Sequence, residues 1–290
     1  MSVELALRFD AEVGEGPIWD SQSRELIFVD VTRGSIHRFN PSNSQVDSIN
    51  IGIHIGAVGL LDQSRYIAAV RDGFATVDLA DGKINYLARV LESEDIRFND
   101  GKCDPFGNFV AGTMRYQPAK ASAALYSIDS SKSVKTLISG IGLSNGLCWD
   151  SSGKKFFYID TLSRQVALFD YDQEFGVVGN RRVVYEFAQD AGSPDGMTID
   201  VEENLWVALW GGGKVVCLSP DGRLIRELAL PVSQPTSLAF GGEKYESLFI
   251  TSASYMLDEK KLESEPLAGS IFVADVATRG RAEPTFAFSR

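Results

Sequence analysis

The sequence predicts an all-β fold, a six-bladed β-propeller of four-stranded antiparallel blades. Three observations predict it. One strand type recurs six times, at 34–41, 72–80, 123–130, 165–172, 213–220 and 269–276, each copy rich in β-branched and aromatic residues. A second segment begins near residues 15, 56, 99, 145, 195 and 236, and its spacing of 41 to 50 residues suits one blade per repeat. No long stretch carries a helical period. Four strands repeated six times form a propeller. A β-sandwich would not need six equivalent units.

The elements follow in order. "VELALRF" (3–9) is strand-like and precedes the first full repeat. It is expected to join the last blade, beside "PTFAFSR", and so tie the termini together. Each repeat then opens on a first strand, introduced by "EGPIWD", "GAVGLL", "DGKCD", "NGLCWD", "DGMTID" and "TSLAF". Next comes an apolar strand, "ELIFVDV", "RYIAAVR", "NFVAGTM", "KFFYIDT", "NLWVALW" and "SLFITSA". Several of these are apolar on both faces, as strands sandwiched between layers are. The recurring third strand follows, then a more polar fourth such as "NRRVVYEF" or "GRLIRELAL". "YMLDEKKLES" (255–264) suits a short helix in a loop. No composition shift or Gly/Ser linker divides the chain, so residues 1–290 read as one domain.

Composition narrows the function classes. A net charge of −11 argues against nucleic acid and anionic membrane surfaces as partners. No apolar run approaches the ~18 residues of a membrane span. "MSVELALRFD" lacks the order of a signal peptide. Three cysteines, Cys103, Cys148 and Cys217, form no CxxC pair, which argues against a disulfide framework and a zinc–thiolate site. They read as small core positions, and a cytoplasmic location is expected. No obligate protein partner is expected.

In a propeller the first strand of each blade lines the central channel, so its leading residue faces a shared pocket. Those residues are Glu15, the Asn99–Asp100 pair, Asn145 and Asp195, with Gly56 and Thr236 in the other two blades. Glu15, Asp100, Asn145 and Asp195 are each followed by glycine, which permits a bend or a close backbone approach. A single Asn-Gly or Asp-Gly is ordinarily a turn. Four in one register of a ring ask for more, because converging carboxylates repel and are costly to desolvate. A divalent cation resolves this. An all-oxygen set suits Ca²⁺, Mg²⁺ or Mn²⁺ better than a tight zinc site.

Other motifs carry less. "GLSNG" (142–146) matches G-x-S-x-G, but neither His37, in a third strand, nor His54, at a blade junction, has an evident link to Ser144. "DYDQEFG" fails as a calcium loop, with Phe175 where glycine belongs and Arg181 where the acid belongs. "GGG" (211–213) precedes a strand and opens no helix, so it is not a phosphate loop. Trp19–Asp20 and Trp149–Asp150 sit in first strands, the wrong place for a WD-type scaffold.

"GEGPIWD", "RFNDGKCDPFGNFVAGTM", "SNGLCWD", "YIDTLSRQVALFDYD", "SPDGMTIDVEENLWVALWGGG" and "AFGGEKYESLFITSAS" together resemble the senescence marker protein/gluconolactonase family, over about residues 11 to 276. The resemblance implies a six-bladed propeller with one divalent cation in its channel. Glu15, Asn145 and Asp195 fall on the metal ligands, Asp195 also on the proton acceptor, and Arg97 and Asn99 on residues that hold the substrate. Where regucalcin-like members carry a Glu that contacts sugar, this chain reads "MRYQ", and Gln117 takes that place.

The implied activity is hydrolysis of a gluconolactone-like sugar lactone to the aldonic acid. Ca²⁺ is the first expectation for the cation, with Mg²⁺, Mn²⁺, Zn²⁺ and Fe²⁺ open. The plain alternative for Arg97 is a surface ion pair. Two alternatives remain for the whole protein: a phosphotriesterase, with Asn99 as a further metal ligand, and a non-enzymatic calcium-binding regulator.

Overall fold

The computed structural model describes residues 2–288. Among them are 24 strands in six four-stranded sheets, every paired neighbour antiparallel. This is the six-bladed propeller expected from the repeats. The innermost strands are Gly14–Asp20, Ile55–Leu60, Ile96–Cys103, Ser144–Trp149, Ser193–Ile199 and Pro235–Gly241. The third begins three residues before the polar Asn99 that marks its repeat.

Burial explains the pattern along each repeat. In blade one the second strand keeps Leu26, Ile27, Phe28 and Val29 fully buried, because both of its faces meet neighbouring blades. The outermost strand, Gln45–Asn50, is mostly exposed. The core is correspondingly divided into six clusters, each bridging two adjacent blades. The cluster between blades one and two joins Ile27 and Val29 to Ile55 and Ala68. That between blades six and one joins Trp19 and Phe28 to Phe249, with the Trp19 and Phe249 rings stacked 5.7 Å apart. Cys103, Cys148 and Cys217 are free and buried in three different clusters, as small core residues. The one α-helix among the described residues is Glu259–Ser264, capped by Asp258, whose carboxylate accepts from the Lys261 N–H.

The ring closes through the N-terminus. Val3–Leu7 pairs antiparallel with Ile271–Asp275 as the fourth strand of the last blade. The C-terminal residues do not lie beside it, contrary to the sequence expectation. After Asp275 the chain crosses the far end of the channel: Val201 N–H donates to Arg279 O, Phe286 N–H to Leu60 O and Ala287 N–H to Gly107 O. Phe286 is buried in the cluster between blades two and three, and the last two residues of "PTFAFSR" lie outside those described. The physical reason is that Val3–Leu7 already fills the outer edge of blade six, so the tail finds its backbone partners at the far end of the channel instead.

Candidate active site at the channel mouth

Every innermost strand is interrupted by a register shift at its leading residues: between Glu15 and Ile18, Ile55 and Ala57, Phe98 and Gly101, Asn145 and Leu147, Pro194 and Met197, and Pro235 and Leu238. The polar–glycine pairs are therefore bulges rather than turns. A bulge bends the strand and re-aims a side chain. The glycines serve it in two ways. Gly16 has φ +51°, a left-handed conformation that glycine adopts without strain. Gly146 has ordinary φ but no room, since a Cβ there would lie 2.6 Å from Met197 Cβ and 2.7 Å from Asp195 O of the next blade. Gly146→Ala is expected to lower stability by about 1–3 kcal/mol through overpacking. Chemical denaturation would check it, and an unchanged midpoint would remove the close approach as the reason for glycine.

Glu15, Asp100, Asn145 and Asp195 are all buried, between 4% and 7% exposed. Burial and the neighbouring Asp100 raise the Glu15 carboxyl from 4.5 to about 8, against the pull of the Gly16 N–H and of Arg97. Burial raises Asp100 to about 6, opposed by Lys102 and the Gly101 N–H. Asp195 is driven well above the ordinary range by burial, then by Glu15 and Asp100. Burial raises all three acids, Asp100 adds to the rise of Glu15 and both add to that of Asp195, so the pocket resists carrying their full negative charge although Arg97 and Lys102 lie near.

A pH dependence follows for the metal-free protein. Between 4.5 and about 8 the folded state keeps a proton on Glu15 that the unfolded chain has released. Its stability contribution is complete below 4.5 and is lost as pH rises through about 8. The melting temperature of EDTA-treated protein should fall across that window, and more shallowly in Glu15→Gln. Equal slopes would show that Glu15 does not titrate this way.

Hydrogen bonds join the remaining groups in a chain across three blades. Arg97 Nη1 donates to Phe98 O at 2.9 Å and to Asn99 Oδ1 at 2.8 Å. Asn99 Nδ2 donates to Ser144 O at 2.8 Å and to Asn145 Oδ1 at 2.9 Å. Asn145 Nδ2 donates to Thr161 Oγ1 at 2.8 Å, and Thr161 donates to Pro194 O at 2.7 Å. Arg97 is 9% exposed and these bonds go to a carbonyl and an amide, so it is not a surface ion pair. Its guanidinium lies 5.9 Å from the Tyr116 ring centroid, and the Tyr116 hydroxyl meets His54 Nδ1 at 2.9 Å. Burial, Arg97 and Arg71 together push the His54 imidazole below its ordinary range.

The structure thus gathers Glu15, Asn145, Asp195, Arg97 and Asn99 at one end of the channel. Gln117 is exposed in the loop after Phe109–Arg115, outside the buried set. Asp100, His54, Tyr116 and Thr161 also belong to the site. Asp100 was legible from its glycine; Thr161 was not, because its place depends on a turn from the second to the third strand of blade four. Ser144 of "GLSNG" is buried and accepts from the Tyr158 hydroxyl at 2.8 Å, while His37 faces Ser48 and His54 faces Tyr116, so neither histidine is paired with Ser144. At the opposite end of the channel a cavity of about 170 Å³ is lined by Lys102, Cys148, Trp149, Arg281 and Glu283, and it holds none of these acids.

The residues fit a divalent cation. Among the described residues no three His, Cys, Asp or Glu side chains are grouped to hold a metal. Any cation here would therefore need a mixed set, in which Glu15 and Asp195 would supply charge and the Asn145 amide a neutral oxygen. Such oxygen donors suit hard cations.

The family model described as the SMP-30/gluconolactonase/LRE-like region matches residues 13–254. The chain belongs to that family. The family match spans the innermost strands of all six blades and all five gathered residues. Among curated relatives, regucalcin of Danio rerio is 39% identical over 275 residues, which are 94% of this chain and 93% of that protein. Among solved structures, the calcium-binding protein regucalcin of Agrobacterium tumefaciens has a TM-score of 0.94 at 26% identity, covering 99% of this chain and 98% of its own. A luciferin-regenerating enzyme has a TM-score of 0.92 at 30% identity, with 99% of each chain covered. No helix among the described residues is long and apolar enough to cross a membrane.

Proposed function

We propose that the protein is a divalent-metal-dependent lactonase that opens a gluconolactone-like sugar lactone to its aldonic acid. The observation that carries this reading is the meeting of Glu15, Asn145 and Asp195 with Arg97 and Asn99 at one channel mouth in a member of the gluconolactonase-like family. Glu15, Asn145 and Asp195 would hold the cation. Ca²⁺ is the first choice, in keeping with the calcium-binding name of one relative; Mg²⁺, Mn²⁺, Zn²⁺ and Fe²⁺ are the others.

The chemistry a bound cation supplies is polarisation of the lactone carbonyl and acidification of water. Asp195 takes the proton of the attacking water. The acyl C–O bond of the ring breaks, and the ring oxygen leaves as the hydroxyl of the aldonic acid once it receives that proton. Arg97 donates to sugar oxygens, its orientation held by Phe98 O and Asn99. Tyr116, 44% exposed beside Arg97, offers an aromatic face at the rim. Gln117, next to Tyr116 in the exposed loop, would meet the sugar with a neutral amide in place of a carboxylate.

Asn99 counts against a phosphotriesterase. Its oxygen accepts from Arg97 and the end that meets Asn145 is its nitrogen, so it turns an N–H donor rather than a ligand oxygen toward Asn145. The partner is a small-molecule lactone rather than nucleic acid, a membrane or another protein. The test is acid release from a set of aldonolactones, followed with a pH indicator, using EDTA-stripped protein with each divalent metal restored in turn. Turnover of one lactone with one metal would support the reading. Cation binding without turnover of any lactone would overturn it in favour of a calcium-binding regulator.

A further inference from the structure

We infer that Thr161 is a positioning residue that fixes the Asn145 side-chain amide so that its oxygen, not its nitrogen, is presented to the cation set. The inference rests on the cation reading above, and it comes from the direction of protons along the chain of hydrogen bonds.

The chain is anchored by groups whose roles cannot change. A carbonyl oxygen can only accept, so the single Thr161 hydroxyl proton goes to Pro194 O at 2.7 Å. The Thr161 oxygen is then an acceptor for whatever faces it at 2.8 Å, and only the NH₂ end of Asn145 can donate there. At the other end a guanidinium can only donate. Arg97 Nη1 lies 2.8 Å from the Asn99 side chain, which places the Asn99 oxygen toward Arg97 and its nitrogen toward Asn145. The Asn145 atom that Asn99 meets at 2.9 Å must therefore be the oxygen. Both ends demand the same orientation.

An amide can flip with little change of shape, and a flipped Asn145 would bring N–H groups toward a cation. Thr161 opposes that flip from one end, as Asn99 does from the other, and it alone among the described residues holds the NH₂ end. It begins the 3₁₀ turn Thr161–Ser163, whose preceding Asp160 accepts from the Leu162 N–H, and its own N–H donates to Leu143 O. The backbone thus holds the hydroxyl in place without help from the side chain. The Asn145 oxygen accepts from Asn99 with one lone pair and keeps the second for a cation.

The test is calorimetric titration of EDTA-stripped protein with Ca²⁺ and, separately, Mn²⁺, on the full chain and on Thr161→Val and Thr161→Ser. Valine keeps the shape and removes the hydroxyl; serine restores it. Thr161→Val is expected to weaken cation binding about 10- to 100-fold, as loss of a group that orients a ligand does, while Thr161→Ser stays close to the parent. Thr161 is only partly buried, and metal-free melting temperatures of all three should agree within a few degrees. Unchanged affinity in Thr161→Val, or equal weakening in Thr161→Ser, overturns the inference alone. A parent protein that binds neither cation overturns the cation reading and the inference together.

Discussion

Asp195→Asn should leave a folded protein that still binds the cation and no longer opens lactones. Asparagine keeps an oxygen at the position but cannot accept a proton from water. Loss of a general base lowers turnover about 10²- to 10⁴-fold. Asp195→Ala removes the oxygen as well, so activity should be abolished and cation affinity should fall. Two features of the structure make the effect large. Asp195 lies at a bulge with a buried carboxyl, and the nearby Glu15 and Asp100 carboxyls raise its pKa further. The positive charge of a cation would draw its pKa back down, leaving an ionised base. The measurement is kcat/KM at saturating metal, beside calorimetric binding for both variants. Turnover within tenfold of the parent in metal-replete Asp195→Ala would end the assignment.

Deleting residues 1–9 should lower the melting temperature by at least about 10 °C. Val3, Ala6, Leu7 and Phe9 pack on the two clusters that flank blade six, and Phe9 meets the Phe28 ring edge-on at 5.4 Å. Each apolar side chain of this kind is worth about 1.5–3 kcal/mol when fully buried, less when partly so. In a chain of this size each kcal/mol shifts the midpoint by about 2–4 °C. The deletion would also leave Ile271–Asp275 as an unpaired edge, open to association with a second molecule. Thermal unfolding followed by circular dichroism, with light scattering, checks both effects. A midpoint within about 2 °C of the full chain would show that the ring does not depend on this strand.

The aligned polar–glycine pairs located the channel because one residue type recurred at one place in successive repeats. The same pattern, taken as local chemistry, suggests turns; pairing with the second strand makes these positions bulges. Arg97 shows the same limit. As a charged residue in "RFND" it suits a surface, yet its burial depends on Phe98 O, Asn99 and Tyr116 around it.

By itself the sequence determined the blade count, the strand order within each blade and the acids and amides at the channel. Those properties follow from alternation, turn residues and repetition, which act over a few residues at a time. Only the tertiary structure decided that the tail crosses the far mouth, that Tyr116 meets His54, and that Thr161 bonds Asn145. These are meetings of side chains from different strands and blades, such as Asn99 with Asn145 across 46 positions. Nothing in either local segment encodes the other. Closure of the ring brings them within hydrogen-bonding distance, and it is there that the direction of each proton is settled.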